Sequence, residues 1–287
     1  MARIAQTTAF NASTFRSLSS VPFKRKVFAK LQRAFVLADR TRGKTRSFET
    51  HPVVIVNSLP KSGTHLLMQV AEALPGTVQL GSFIAQRPSW ANWYRSEAQI
   101  LKRIGNLAPG ECAGAHLHYR AGVSEALCAL NTLHLFIYRD PRAVLVSEVQ
   151  YLVQTARWNA LHSRFANLDT LKEALDLAIE GDASDALPDV QSRYQPYLDW
   201  RDDPNVFAIR FEDLSNPETC DVVLRDIVEQ HEMRSGNQTD PGLLGRLRNT
   251  IRPGLSHTYS GQSPERWKNL LTREQQEKLV SLFPCVQ

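Results

Sequence analysis

The chain has 287 residues, 43% apolar and 22% charged, the proportions of an ordinary globular protein with room for one α/β domain. Its net charge of +5 is too small an excess to argue for nucleic acid and suits a polyanionic small ligand or nothing in particular. Four scattered cysteines (Cys112, Cys128, Cys220 and Cys285) form no CxxC pair; they argue against a disulfide framework and a zinc site, and fit a reducing, cytoplasmic setting.

Residues 1–50 hold eleven Lys or Arg against two acidic residues, Asp39 and Glu49. Within them, residues 27–37 place apolar side chains at helical spacing with basic ones between. This basic N-terminal extension reads as a solvated helix, as a leader rich in Arg and Ser, or as a helix docking on a membrane surface or partner. From residue 51 to residue 287 the pattern becomes strand, turn and helix in alternation. Val53-Val54-Ile55-Val56 is an unbroken β-branched run, as expected of a parallel strand buried on both faces. A turn over 59–64 follows, then Leu66, Leu67, Val70, Ala71 and Leu74 at helical spacing until Pro75-Gly76. A shorter strand is predicted over 112–116 and a stronger one over 133–138, with Pro141 placed as the first residue of a helix behind it. Residues 159–200 read as helical with a loop at 181–188, 206–211 as a strand, 252–264 as a loop and 273–283 as a terminal helix. The longest apolar runs are the length of buried strands, well short of the about 20 residues of a bilayer span. Strands alternating with helices imply a single α/β domain, 51–287, with a central parallel sheet flanked by helices.

Leu59-Pro60-Lys61-Ser62-Gly63-Thr64-His65-Leu66 lies between a buried strand and a helix. In such a turn the backbone amides gather at the positive end of the helix dipole and make an anion cradle. Ser62 and Thr64 add hydroxyl donors and Lys61 adds a full charge. The Gly-Lys-Ser/Thr order of a Walker loop is absent, which weakens a kinase or ATPase reading. Arg139 ends the 133–138 strand, and Ser147 lies eight residues on in the next helix. A guanidinium can fork onto phosphate oxygens, and a hydroxyl in the first turns of a helix can donate. Ala115-His116-Leu117-His118 closes a strand between these two stretches.

The Pro-Lys-Ser-Gly-Thr loop followed by Arg139 and Ser147 resembles the sulfotransferase family that uses 3′-phosphoadenosine 5′-phosphosulfate (PAPS), in its soluble members. The resemblance covers roughly His51 to Leu282. It implies a P-loop-like 5′-phosphosulfate loop at Lys61, Ser62, Gly63, Thr64, His65 and Leu66, and a 3′-phosphate grip by Arg139 and Ser147. It implies a histidine base, with His116 the better match and His118 a competitor on the same strand face. Phe211, in Arg210-Phe211-Glu212-Asp213-Leu214, matches an aromatic that sits near adenine. Arg266-Trp267-Lys268 matches part of a terminal motif, and where a basic pair is usual Ser260-Gly261 stands instead, offering hydroxyl and backbone donors to the nucleotide. Leu66 stands where many members place a tryptophan.

The reaction so implied is in-line sulfuryl transfer with no metal. His116 removes the acceptor's proton, Lys61 stabilises the departing adenosine 3′,5′-bisphosphate (PAP), and Ser147 restrains Lys61 until acceptor binds. Phe83, Trp90, Trp93 and His118 are candidates to line the acceptor pocket, and 181–188 to gate it. The acceptor expected is a small alcohol, phenol or amine. The competing readings are a nucleotide-dependent phosphotransferase, with Asp140 holding Mg²⁺, and a non-catalytic nucleotide binder of the same fold.

Overall fold

The computed structural model describes residues 47–88, 93–154, 157, 159–182, 187–252 and 265–284. The basic extension up to residue 46, Trp90, Ser260, Gly261 and the tip of the 181–188 loop lie outside the described residues. Five strands form one parallel sheet: β1 (Val54–Ser58), β2 (Val78–Ala85), β3 (Glu111–His116), β4 (Leu133–Tyr138) and β5 (Val206–Arg210). Helix α1 (Thr64–Glu72) follows β1, α2 (Glu97–Ile104) follows β2, and α3 (Ala121–Cys128) follows β3. After β4 come α4 (Pro141–Gln154), α5 (His162–Ala166), α6 (Leu171–Glu180) and α7 (Val190–Leu198). After β5 come α8 (Phe211–Ser215), α9 (Pro217–Ser235), α10 (Leu243–Thr250), α11 (Trp267–Leu270) and α12 (Arg273–Leu282).

The apolar run in β1 is unbroken because both its faces are covered. Val54 and Val56 pack with Leu67 and Val70 of α1 and with Leu224 and Ile227 of α9. Val53 and Ile55 pack on the other side with Ile100 and Ile104 of α2, Leu127 of α3 and Trp200. A third core lies beyond the sheet, where Val144, Leu145 and Val149 of α4 meet Leu175 of α6, Tyr194 of α7 and Leu279 of α12.

β2 escaped the periodicity reading. Gly81 takes φ 75, and the pairing with β3 shifts register between Gln79 and Phe83. That bulge interrupts the alternation of faces on which a strand is recognised. β5 ends one residue earlier than expected, and Phe211 opens α8.

The strand order β2-β3-β1-β4-β5 places β1 centrally, with the chain turning to one side for β3 and to the other for β4. Ligands of such sheets bind beyond the carboxyl ends of the strands at this switch point. The loops after β1, β3, β4 and β5 all open onto that edge. No helix among the described residues is long and apolar enough to cross a membrane.

Candidate active site

The loop after β1 is built from unusual backbone. Lys61 has φ 71 and Gly63 φ 97, both left-handed. Only glycine takes that region freely; Lys61 holds it at a cost of about 1–3 kcal/mol, the kind of strain that collects at functional loops. Gly63 begins α1, and its carbonyl accepts from the amides of Leu66 (2.9 Å) and Leu67 (3.2 Å). The first amides of the helix therefore face the loop with no helical carbonyl behind them. A Cβ on Gly63 would lie 2.5 Å from Cδ2 of Phe211. The glycine is required because the Phe211 ring seats directly against the loop.

The hydroxyls of the loop divide their work. Thr64 Oγ1 lies 2.6 Å from Ser58 Oγ. Ser62 Oγ is buried without a hydrogen-bond partner among the described residues. A buried donor left unsatisfied is costly, so Ser62 stands ready for a ligand acceptor. His65 is exposed, whereas Leu66 is 7% exposed and packs in the core with Val70 and Ile227. Lys61 reaches across to α4, its Nζ 4.1 Å from the centre of the Tyr151 ring. Burial lowers its pKa to about 8; Arg139 pushes the same way and Glu148 opposes.

The loop after β4 supplies the second cationic group. Pro141 opens α4, and Asp140 caps it, its Oδ1 accepting from the Arg142 amide at 2.9 Å. The Arg142 side chain forks onto the same carboxylate through Nε (2.9 Å) and Nη2 (2.7 Å) and lies 3.9 Å from the Trp267 ring centre. Asp140 is thus occupied by Arg142, and Arg139 is left for other work. The Arg139 guanidinium sits 4.5 Å from the Phe211 ring centre. Its Nε is buried with no hydrogen-bond partner among the described residues. Burial lowers its pKa while Glu212 and Asp140 hold it up. Ser147, half-buried on α4, has no hydrogen bond to Lys61; the ammonium sits over Tyr151, one turn further on.

His116 ends β3 beside this loop. Its Nδ1 is 3.0 Å from the Ser58 carbonyl oxygen and 3.0 Å from Ser58 Oγ. A carbonyl oxygen only accepts, so the network assigns the proton to Nδ1 and leaves a lone pair on Nε2. Burial lowers the ring's pKa to about 4, with His65 and Lys61 adding to the shift. The ring of Phe83 meets it edge-on at 4.9 Å.

His118 does not share that face. The strand stops at His116 because Asn57 Oδ1 takes the Leu117 amide at 2.9 Å, and the chain then turns towards α3. Its ring packs 4.5 Å from Tyr197 and 5.5 Å from Tyr94, and burial brings its pKa to about 4. Expecting both histidines on one face assumed that the strand continued. Phe83 beside His116 and Tyr94 beside His118 are 47% and 39% exposed, and Trp93, next to Tyr94 in the chain, is 45% exposed.

Ser58, Glu148 and Tyr151 were not singled out by motif. Glu148 accepts from Tyr194 Oη at 2.6 Å and Arg193 Nη2 at 3.1 Å and faces Lys61. The signal available for Tyr151 was its place one helical turn after Ser147.

Among solved structures the fold is similar to mouse sulfotransferase SULT7A1 complexed with PAP, at a TM-score of 0.56 and 15% identity over 84% of this chain and 85% of that one. It is also similar to retinol dehydratase, in complex with androsterone and inactive cofactor PAP, and in complex with retinol and PAP. Each of these matches has a TM-score of 0.51 and 12% identity, covering 87% of this chain and 84% of that chain. At such identities the likeness is one of fold. No curated protein matches the sequence. Residues 51–223, more than half of the chain, match the family described as the sulfotransferase domain. That span carries the loop after β1, both histidines, Arg139 and Ser147, and by it this chain belongs to the sulfotransferase family.

Proposed function

We propose that this protein transfers the sulfuryl group of PAPS to a hydroxyl or amine of a small-molecule acceptor, with His116 as base. The observation that carries the reading is a pair of buried donors lacking partners among the described residues, Ser62 Oγ and Arg139 Nε, in the loops after β1 and β4. An anion with phosphate-type oxygens satisfies both, and the strained loop and the α1 amides suit the same ligand. PAP in the structures of SULT7A1 and retinol dehydratase is a ligand of this kind.

PAPS supplies an activated sulfuryl group on a phosphate leaving group. Lys61, Ser62, Thr64 and the loop amides hold its 5′ end, and Arg139 and Ser147 hold the 3′-phosphate. Phe211, already braced by Gly63 and Arg139, offers a ring face to the adenine. Lys61 places its charge where negative charge develops on the leaving oxygen. His116 takes the acceptor's proton on Nε2, because Ser58 holds the Nδ1 proton in place. The exposed rings of Phe83, Trp93 and Tyr94 suit a small apolar alcohol, the class to which androsterone and retinol belong. The Cys128 and Cys220 thiols, outside any disulfide, suit a reducing compartment. The phosphotransferase reading loses its metal-holding candidate, since Asp140 caps α4 and is forked by the Arg142 side chain.

Thermal stabilisation by PAP, against ATP and AMP, tests the reading in the wild type and in Arg139→Ala. Selective stabilisation by PAP that disappears with Arg139 is expected. Equal stabilisation by all three nucleotides, or none by PAP, overturns it.

A further inference from the structure

We propose that Tyr151 is the positioning residue for Lys61: its ring holds the lysine ammonium against α4 and releases it towards the leaving oxygen during transfer. The inference rests on the sulfotransferase reading above and adds to it a residue that no motif marks.

Lys61 lies in left-handed backbone, φ 71, and its side chain leaves the loop towards α4, where Nζ stands 4.1 Å from the Tyr151 ring centre. Tyr151 lies four residues after Ser147 and three after Glu148, so the three share one face of α4. The surroundings work against a charged lysine. Burial and Arg139, at the end of β4, both disfavour the ammonium, and His116, at the end of β3, is a neutral ring there. Glu148 is the attractive carboxylate, but Arg193 and Tyr194 of α7 hold its oxygen at 3.1 and 2.6 Å. A ring face attracts a cation without being an anion. A carboxylate bonded to Lys61 would cancel the charge that the leaving oxygen needs and would resist its departure. The ring keeps the ammonium in place and leaves its charge intact.

The test uses the full chain with isotopically labelled lysine side chains, Lys61 being assigned by Lys61→Arg. The Lys61 midpoint in the free protein is expected at about 8. Tyr151→Leu keeps apolar volume but removes the quadrupole. It should lower the midpoint by about one unit and kcat about tenfold with little change in KM for the donor. Tyr151→Phe, which keeps the ring, should rescue both. Phenylalanines carrying one to three ring fluorines at position 151 weaken the quadrupole stepwise at nearly constant shape, and should lower the midpoint in step. A Tyr151→Leu protein that titrates and turns over like wild type overturns the inference. So does a Phe variant as impaired as Leu, or a flat fluorine series. The titration needs no turnover, so it reads Tyr151 even if the donor reading fails, while an active enzyme with an unmoved midpoint defeats Tyr151 alone.

Discussion

The donor side and the rim around His116 share one edge of the sheet and are built on opposite principles. On the donor side Ser62, Lys61 and Arg139 are withdrawn from solvent on loops after strands β1 and β4, and two left-handed residues, Lys61 and Gly63, set the first loop. On the rim Phe83, Trp93 and Tyr94 are open to water, and Phe83 stands on the edge strand just past its bulge. Stabilising developing charge requires donors fixed beforehand at low dielectric, which demands particular residues at particular backbone angles. Receiving an apolar acceptor requires only ring surface, which many arrangements provide. On the proposed reading the first region is fixed by what the reaction demands, and the second can vary with the acceptor.

The contrast can be broken most strongly at its junction, His116. Replacing it with alanine should lower the transfer rate by about 10²–10⁴, the range for a general base, and leave stabilisation by PAP in place. In the wild type burial keeps the His116 ring neutral above about 4, and Lys61 loses its charge above about 8. Activity against pH should therefore rise through about 4, stay level, and fall above about 8. Single-turnover rates across that window check both limbs, and an acid limb near the usual histidine value of about 6.5 would disprove the burial argument.

Gly63→Ala sharpens the donor side. The new Cβ meets Phe211 at 2.5 Å in a backbone conformation with φ 97. Stability should fall by about 2 kcal/mol, or about 4–8 °C in melting temperature for a domain of this size. Stabilisation by PAP should fall with it, because the displaced ring carries Arg139. Adding Phe211→Leu relieves the clash but not the backbone strain, so melting should recover only in part. Full recovery would show that the left-handed angle is without consequence.

These residues were legible in the sequence for the reason that they are consequential. β1 showed as an unbroken β-branched run because it is covered on both faces, and the loop after it showed because a small set of residues tolerates its angles. Arg139 and Ser147 were found because that pair, eight residues apart across a strand end and a helix, resembles a signature of the sulfotransferase family. The rest depended on contacts that no local pattern encodes. Ser58 matters because β3 brings His116 beside it, and Tyr151 because the angle at Lys61 sends that side chain to α4. The face of His118 turned on where Asn57 stops β3, and Leu66, beside the loop in sequence, went into the core. β2 was hidden by its bulge at Gly81.

The smallest expected effect lies on the rim, and it decides whether the contrast is real. Phe83 touches His116 edge-on and is otherwise half open to water, so Phe83→Ala removes one ring contact and leaves the Ser58 hydrogen bonds to His116 intact. A lost aromatic contact of this kind is worth about 1 kcal/mol. The acceptor's KM should rise about fivefold, with stabilisation by PAP and the acid limb near 4 unchanged. If kcat fell by a hundredfold instead, or the acid limb moved towards the ordinary histidine value, Phe83 would belong to the machinery that tunes the base. The rim would then be as tightly specified as the donor loop, and a change of acceptor would require rebuilding the chemistry along with the pocket.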